Sequence, residues 1–139
     1  MELNDFSQRV KERFLKELPT LSPYVQIQPD GILEIKIPHP LIISGLIIST
    51  QGNEISIGCK KWHTHGELLK HEANKYDNGS ELDDSIAFVK DILNDKIKFV
   101  VSFVDNQFND AWPTFDEEKE HKFIQLNEKI VINYWSKLE

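Results

Sequence analysis

With 139 residues, the chain has the length of one domain that buries a core without disulfides, and its lone cysteine, Cys59, excludes an internal disulfide. Its longest mostly apolar run, residues 41–48, is too short to cross a bilayer. No basic segment followed by an apolar one opens the chain, so we expect a cytoplasmic protein without a membrane segment.

The formal net charge of −7 comes entirely from the second half of the chain. Residues 1–70 carry eight positive and eight negative charges, whereas residues 71–139 carry eight positive and fifteen negative charges. Such an excess repels the phosphates of nucleic acid and favours a partner with a basic surface. Solubility alone also accounts for it.

Apolar residues three and four apart predict an amphipathic helix over Asn4–Leu18, which Pro19 ends. Two strands follow, over Tyr24–Gln28 and residues 33–37, and the turn Pro29-Asp30-Gly31 joins them into a hairpin.

A second hairpin is predicted from residues 41–50 and 54–59, around the turn Gln51-Gly52-Asn53. Ser44-Gly45 indicates a bulge or bend in its first strand. Cys59 lies on the apolar face of the second strand, so we expect a buried thiol, although nearby lysines would activate it if it were exposed.

A central helix is predicted over about residues 80–95, with Ser80 as its N-cap, and a strand over Ile97–Val104 follows it. Residues 107–121 lack a regular period and predict a long connection. Two last strands are predicted over residues 122–126 and 129–135, of which the second also fits a short helix.

These elements predict a single α+β domain over residues 1–139. We expect a mainly antiparallel sheet of about five to seven strands, with the N-terminal helix and the central helix packed on one face.

The pattern His63-Thr64-His65 places two imidazoles on one side of an extended segment, where they would ligate Zn²⁺ with a third ligand from elsewhere. The nearest template is the JAMM-type metalloprotease, whose motif has proline after the second His and a ligating Asp eleven residues further on. Here Gly66 and Tyr76 occupy those positions, and Asp77 comes one residue late.

The zinc-helix motif His-Glu-x-x-His begins at His71-Glu72 but lacks its second His, because position 75 is Lys75. A His pair beside Trp62 at the end of a strand also serves as a hydrogen-bonded anchor. We favour that structural interpretation over a metal site.

The stretch from Asp105 to Glu120 interleaves carboxylates with aromatic residues, which is typical of a protein interface with a charged rim. The alternative is a solvated loop whose aromatic side chains fold back into the core. The candidate partner-binding residues are Asp105, Asp110, Trp112, Asp116, Glu117 and Glu118.

Two segments carry a resemblance to a known family: residues 55–66, Ile-Ser-Ile-Gly-Cys-Lys-Lys-Trp-His-Thr-His-Gly, and residues 86–101, Ile-Ala-Phe-Val-Lys-Asp-Ile-Leu-Asn-Asp-Lys-Ile-Lys-Phe-Val-Val. Over about residues 30–104 the chain resembles small bacterial immunity proteins, and more narrowly the antitoxins encoded beside LXG-type polymorphic toxins in Bacillus-like bacteria. Gly66 departs from the aromatic residue usual there, and no site is transferred.

The resemblance implies a non-enzymatic protein, without a cofactor, that binds and neutralises one toxin, often a nuclease. A nuclease presents a basic surface to its substrate, so an acidic inhibitor suits it. The alternatives are a Zn-dependent hydrolase of JAMM-like type that uses His63 and His65, and a dimeric scaffold.

Overall fold

The computed structural model describes residues 2–71 and 76–139, without the side chains of Lys70 and His71. Within that part of the chain, the α-helices are α1 (Asp5–Glu17), α2 (Glu81–Leu93) and α3 (Glu117–Lys122). The strands are β1 (Val25–Gln28), β2 (Ile32–Ile37), β3 (Leu46–Ser49), β4 (Ser56–Gly58), β5 (His63–His65), β6 (Lys98–Val104), β7 (Gln107–Thr114) and β8 (Glu128–Tyr134).

The strands form two antiparallel sheets, one of five strands in the order β1-β2-β3-β4-β5 and one of three in the order β7-β6-β8. The predicted α+β class, with an N-terminal helix, a central helix and antiparallel strands, is confirmed. The sequence predicted a single sheet. Instead, the three strands that follow α2 in the chain pair with one another and form a second sheet.

Helix α1 begins where the Asn4 side chain accepts a hydrogen bond from the Ser7 amide at 2.8 Å. It buries Val10 and Phe14. The Ser7 and Thr50 hydroxyl oxygens lie 2.5 Å apart, and the Thr50 hydroxyl also accepts from the Leu33 amide at 2.9 Å. If these hydrogen bonds broke, the two hydroxyl groups would be buried without partners, which costs free energy. The bonds therefore hold α1 against the first sheet.

Helix α2 begins at Ser80, whose hydroxyl accepts a hydrogen bond from the Asp83 amide at 3.1 Å, as predicted for an N-cap. Its predicted apolar face is buried through Ile86, Val89 and Ile92. The Tyr76 hydroxyl donates to the Asp91 carboxylate at 2.9 Å, which ties the segment before α2 to the helix.

The prediction of a long connection over residues 107–121 is wrong, because residues 107–114 form β7 and residues 117–122 form α3. A register shift between Ser102 and Phe103, in the pairing of β6 with β7, interrupts the two-residue period. Pro113 also argues against a strand in the sequence, because proline is rare inside strands. It fits there because β7 is an edge strand, where a proline nitrogen can face away from the ladder.

The prediction of a strand over residues 122–126 is also wrong, because α3 ends at Lys122 and the pairing of β8 starts at Glu128. The last predicted strand is confirmed as β8. It ends at Tyr134, and residues 135–137 form one turn of 3-10 helix.

The two sheets meet at the turn between β4 and β5. One oxygen of the Asp110 carboxylate accepts from the Lys61 amide at 2.9 Å, and the other accepts from the Trp62 amide at 2.9 Å. The Trp62 ring then packs edge-on against Phe99 of β6, with ring centroids 6.2 Å apart. Asp110 is only 7% exposed, so its charge is satisfied mainly by backbone amides.

We predict that Asp110→Ala lowers the free energy of unfolding by about 3 kcal/mol, because two amides lose a charged acceptor. Asp110→Asn should cost less, since its amide oxygen still accepts. Urea unfolding followed by circular dichroism measures both. The matched control is Asp105→Asn in the exposed turn after β6, which should change stability by less than about 0.5 kcal/mol. Equal stability of Asp110→Ala and wild type would contradict the prediction.

Candidate protein-binding surface

The imidazoles of His63 and His65 lie side by side at one end of the first sheet, with ring centroids 5.4 Å apart. Nδ1 of His65 is buried and lies 3.6 Å from a carboxylate oxygen of Glu54, which is beyond hydrogen-bond length. Among the side chains described, no group of three or more His, Cys, Asp or Glu residues is arranged to hold a metal ion. The zinc hypothesis stays a prediction, because the side chain of His71 and residues 72–75 lie outside the described part of the chain.

Gly66 follows this pair and lies against α2. A Cβ atom at that position would lie 2.4 Å from the Ser85 hydroxyl oxygen and 2.9 Å from the Glu81 carbonyl oxygen. An aromatic residue, which the resemblance leads one to expect there, does not fit. The segment from Trp62 to Gly66 is thus a packing junction between the first sheet, β6 and α2.

Cys59 is half-buried beside the same junction. Burial, and secondarily the negative charge of Asp110, raises the pKa of its thiol to about 12. The side chain is therefore a protonated thiol at neutral pH, although it is half-buried and not fully buried as the sequence predicted.

The candidate acidic residues do not form one cluster. Asp105 lies in the exposed turn between β6 and β7, and Asp116 to Glu118 lie beside the opposite end of β6. The two groups are about 20 Å apart, because β6 has seven residues at about 3.3 Å per residue. Asp110 is buried between the sheets. Only Asp116, Glu117 and Glu118 lie close together.

Helix α3 is attached to the second sheet by its own carboxylates. Glu117 forms an ion pair with Lys98 of β6, and this hydrogen bond raises the pKa of the lysine. Glu120 accepts from the Trp112 indole nitrogen at 3.0 Å and from the Thr114 hydroxyl at 3.2 Å. The candidate Trp112 therefore helps to anchor α3, as does Glu120, which ends the predicted interface stretch but was not among the candidate residues.

The remaining carboxylates of α3 face solvent. Asp116 caps the helix by accepting from the Lys119 amide at 3.2 Å, and Glu118 is exposed. Both line an open groove of about 610 Å³ between α3 and the second sheet, together with Phe115 and Tyr134. Lys98 also lines it, so the groove carries both signs of charge.

Residues 121–127, which follow α3, are all exposed. The exposed fraction is 69% for Phe123, 39% for Ile124 and 90% for Leu126. Consecutive exposed apolar side chains beside carboxylates are typical of a protein interface. We define the α3 surface as Phe115, Asp116, Glu118, Phe123 and Leu126. The sequence pattern did not reveal the exposure of Phe123 and Leu126, because residues 122–126 were predicted to form a strand.

Comparison of the chain with protein-family models, curated proteins and solved structures finds no match. Among the described residues, no helix has both the length and the apolar character needed to span a membrane.

We predict that Cys59 reacts with a thiol-specific disulfide reagent at pH 8 at least about 100-fold more slowly in the folded protein than in urea. A pKa of about 12 leaves very little thiolate at that pH, whereas an unfolded cysteine is partly ionised. Absorbance of the released reagent anion follows the rate. Equal rates in the two states would show an accessible, ionised thiol.

Proposed function

We propose that this chain is an immunity protein that binds a toxin through the α3 surface and neutralises it. The exposure of Phe123 and Leu126, which follow the exposed Asp116 and Glu118 closely in the chain, carries the proposal. The resemblance of residues 55–66 and 86–101 to bacterial immunity proteins supports the class of function.

The two kinds of side chain contribute differently to such a complex. Burial of the apolar side chains supplies affinity, at about 25 cal/mol per Å² removed from water. Carboxylates at the rim mainly speed the encounter with a basic partner and set its salt dependence. A nuclease toxin offers such a basic surface, and covering that surface prevents it from reaching its substrate.

Helix α3 has only six residues, so its own hydrogen bonds give it little stability. The contacts of Glu117 with Lys98, and of Glu120 with Trp112 and Thr114, hold it on the sheet. A surface that is ordered before binding loses less conformational entropy on association, which favours affinity. Glu117 and Glu120 thus position α3 on the sheet, whereas Glu118 is exposed and available to contact a partner.

Two of the sequence-based candidates have no place in the proposed interface. Asp110 is buried and bonded to backbone amides, and Asp105 lies about 20 Å away at the far end of a seven-residue strand.

Co-expression tests the proposed function. The chain should restore growth of cells that express the toxin encoded beside it, and an affinity-tagged chain should retain that toxin through purification. If no neighbouring toxin is neutralised or retained, the function is wrong.

Substitutions in the α3 surface separate the two contributions to toxin binding, measured by surface plasmon resonance. We predict that Leu126→Asp weakens the equilibrium affinity at least 10-fold, about 1.4 kcal/mol, mainly through faster dissociation. Glu118→Lys should slow association about 2- to 10-fold, and its association rate should depend less on salt.

Each variant has a matched control elsewhere on the surface. Ile43→Asp alters a residue that is 78% exposed, and Glu12→Lys reverses an exposed charge on α1. Both controls should bind as wild type does. If the controls weaken binding as much as the α3 variants do, the interface lies elsewhere.

A further inference from the structure

Strand β8 has one free edge. It pairs with β6 on one side, and no strand of the described chain pairs with its other side. The edge is seven residues long. A free edge presents unpaired backbone donors and acceptors, to which another strand can bond.

The register shows which groups face the free edge. The Asp105 amide donates to the Asn127 carbonyl at 3.1 Å, and the pairing of β6 with β8 continues from there without a shift. In an antiparallel ladder the bonded positions alternate. The backbone of residues 129, 131 and 133 therefore bonds to β6, and that of residues 128, 130, 132 and 134 faces outward.

The two ends of the edge are closed by local hydrogen bonds. The Glu128 amide donates to the Gln125 carbonyl at 3.1 Å, and the Tyr134 amide donates to the Asn133 side chain at 2.8 Å. Between these ends, the amides and carbonyls of Ile130 and Ile132 have no partner within the described part of the chain.

The other edges of the two sheets are protected. Strand β7 contains Pro113 and the register shift opposite Ser102 and Phe103, and both features hinder the addition of a strand. Strands β1 and β5 have only four and three residues. Strand β8 is longer than β1 and β5 and contains no proline and no bulge, and its single lysine, Lys129, lies near one end of the edge.

We propose that β8 pairs with β8 of a second copy of this chain, antiparallel about a two-fold axis at Val131. The axis places Ile130 opposite Ile132 of the second copy, so each free amide meets a free carbonyl. Lys129 then lies opposite Asn133, and Glu128 lies opposite Tyr134. No residue opposes one of its own charge, so this edge is complementary to itself.

The result is a continuous six-stranded antiparallel sheet through both copies. Each copy carries a net charge of −7, so the two copies repel one another over distance. Added salt screens this repulsion and strengthens the dimer. Binding of a basic toxin has the opposite salt dependence, which distinguishes the two associations.

Sedimentation equilibrium of the purified chain tests the pairing without a toxin. The wild type should show a concentration-dependent mass that rises toward twice 16.2 kDa, and more so at higher salt. Ile132→Pro should weaken the dimer at least 10-fold, because it removes an outward amide that β6 does not use. Ile132→Ala loses side-chain packing but keeps the amide, so it should remain within about threefold of wild type.

Cysteine cross-linking tests the register and does not depend on proline. Under mild oxidation, Val131→Cys should give a disulfide-linked dimer, because the two copies of residue 131 face each other on the axis. Lys129→Cys is the control, since its two copies lie about 13 Å apart, beyond disulfide reach. The wild type, whose single thiol is Cys59, gives the background.

A wild type that stays monomeric at several hundred micromolar overturns the proposal. An unweakened Ile132→Pro dimer, or cross-linking of Lys129→Cys in preference to Val131→Cys, also overturns it, because the copies then associate elsewhere or in another register.

Discussion

The buried carboxylate of Asp110 connects the two sheets, and the rest of the structure depends on that connection. It accepts from the Lys61 and Trp62 amides, so the turn between β4 and β5 is held against β7. That position directs the Trp62 ring toward Phe99, and the charge contributes to the raised pKa of Cys59. A charged acceptor suits this junction because two amides of an irregular turn need partners that the strands do not supply.

The acidic character of the second half of the chain has several causes that composition does not separate. Asp110 joins the sheets, Glu117 and Glu120 attach α3, and Asp84 accepts from the Asn78 amide at 2.7 Å before α2. These carboxylates serve the fold. The negative potential at the surface comes from the other, exposed carboxylates. The area suited to binding a basic protein is therefore smaller than the acidic composition alone suggests.

Each of the two proposed surfaces contains groups that the fold leaves exposed. On the α3 surface these are the side chains of Phe123 and Leu126, which are in contact with water, and on β8 they are the backbone donors and acceptors of Ile130 and Ile132. The two are continuous along the chain, because residues 121–127 lead directly from α3 into β8. Association with another chain removes the cost in each case, by apolar burial in one and by hydrogen bonding in the other.

The sequence by itself determined the features that depend on near neighbours: the cap at Ser80, the hairpin turn at Pro29-Asp30-Gly31 and the apolar face of α2. Their hydrogen bonds and periods span only a few residues, so the pattern contains them. Only the tertiary structure decided that the strands divide into two sheets, that Pro113 lies in a strand and that Asp110 is buried. Those outcomes depend on which strand becomes an edge and on contacts across 48 or 49 positions of the chain, which local patterns do not encode.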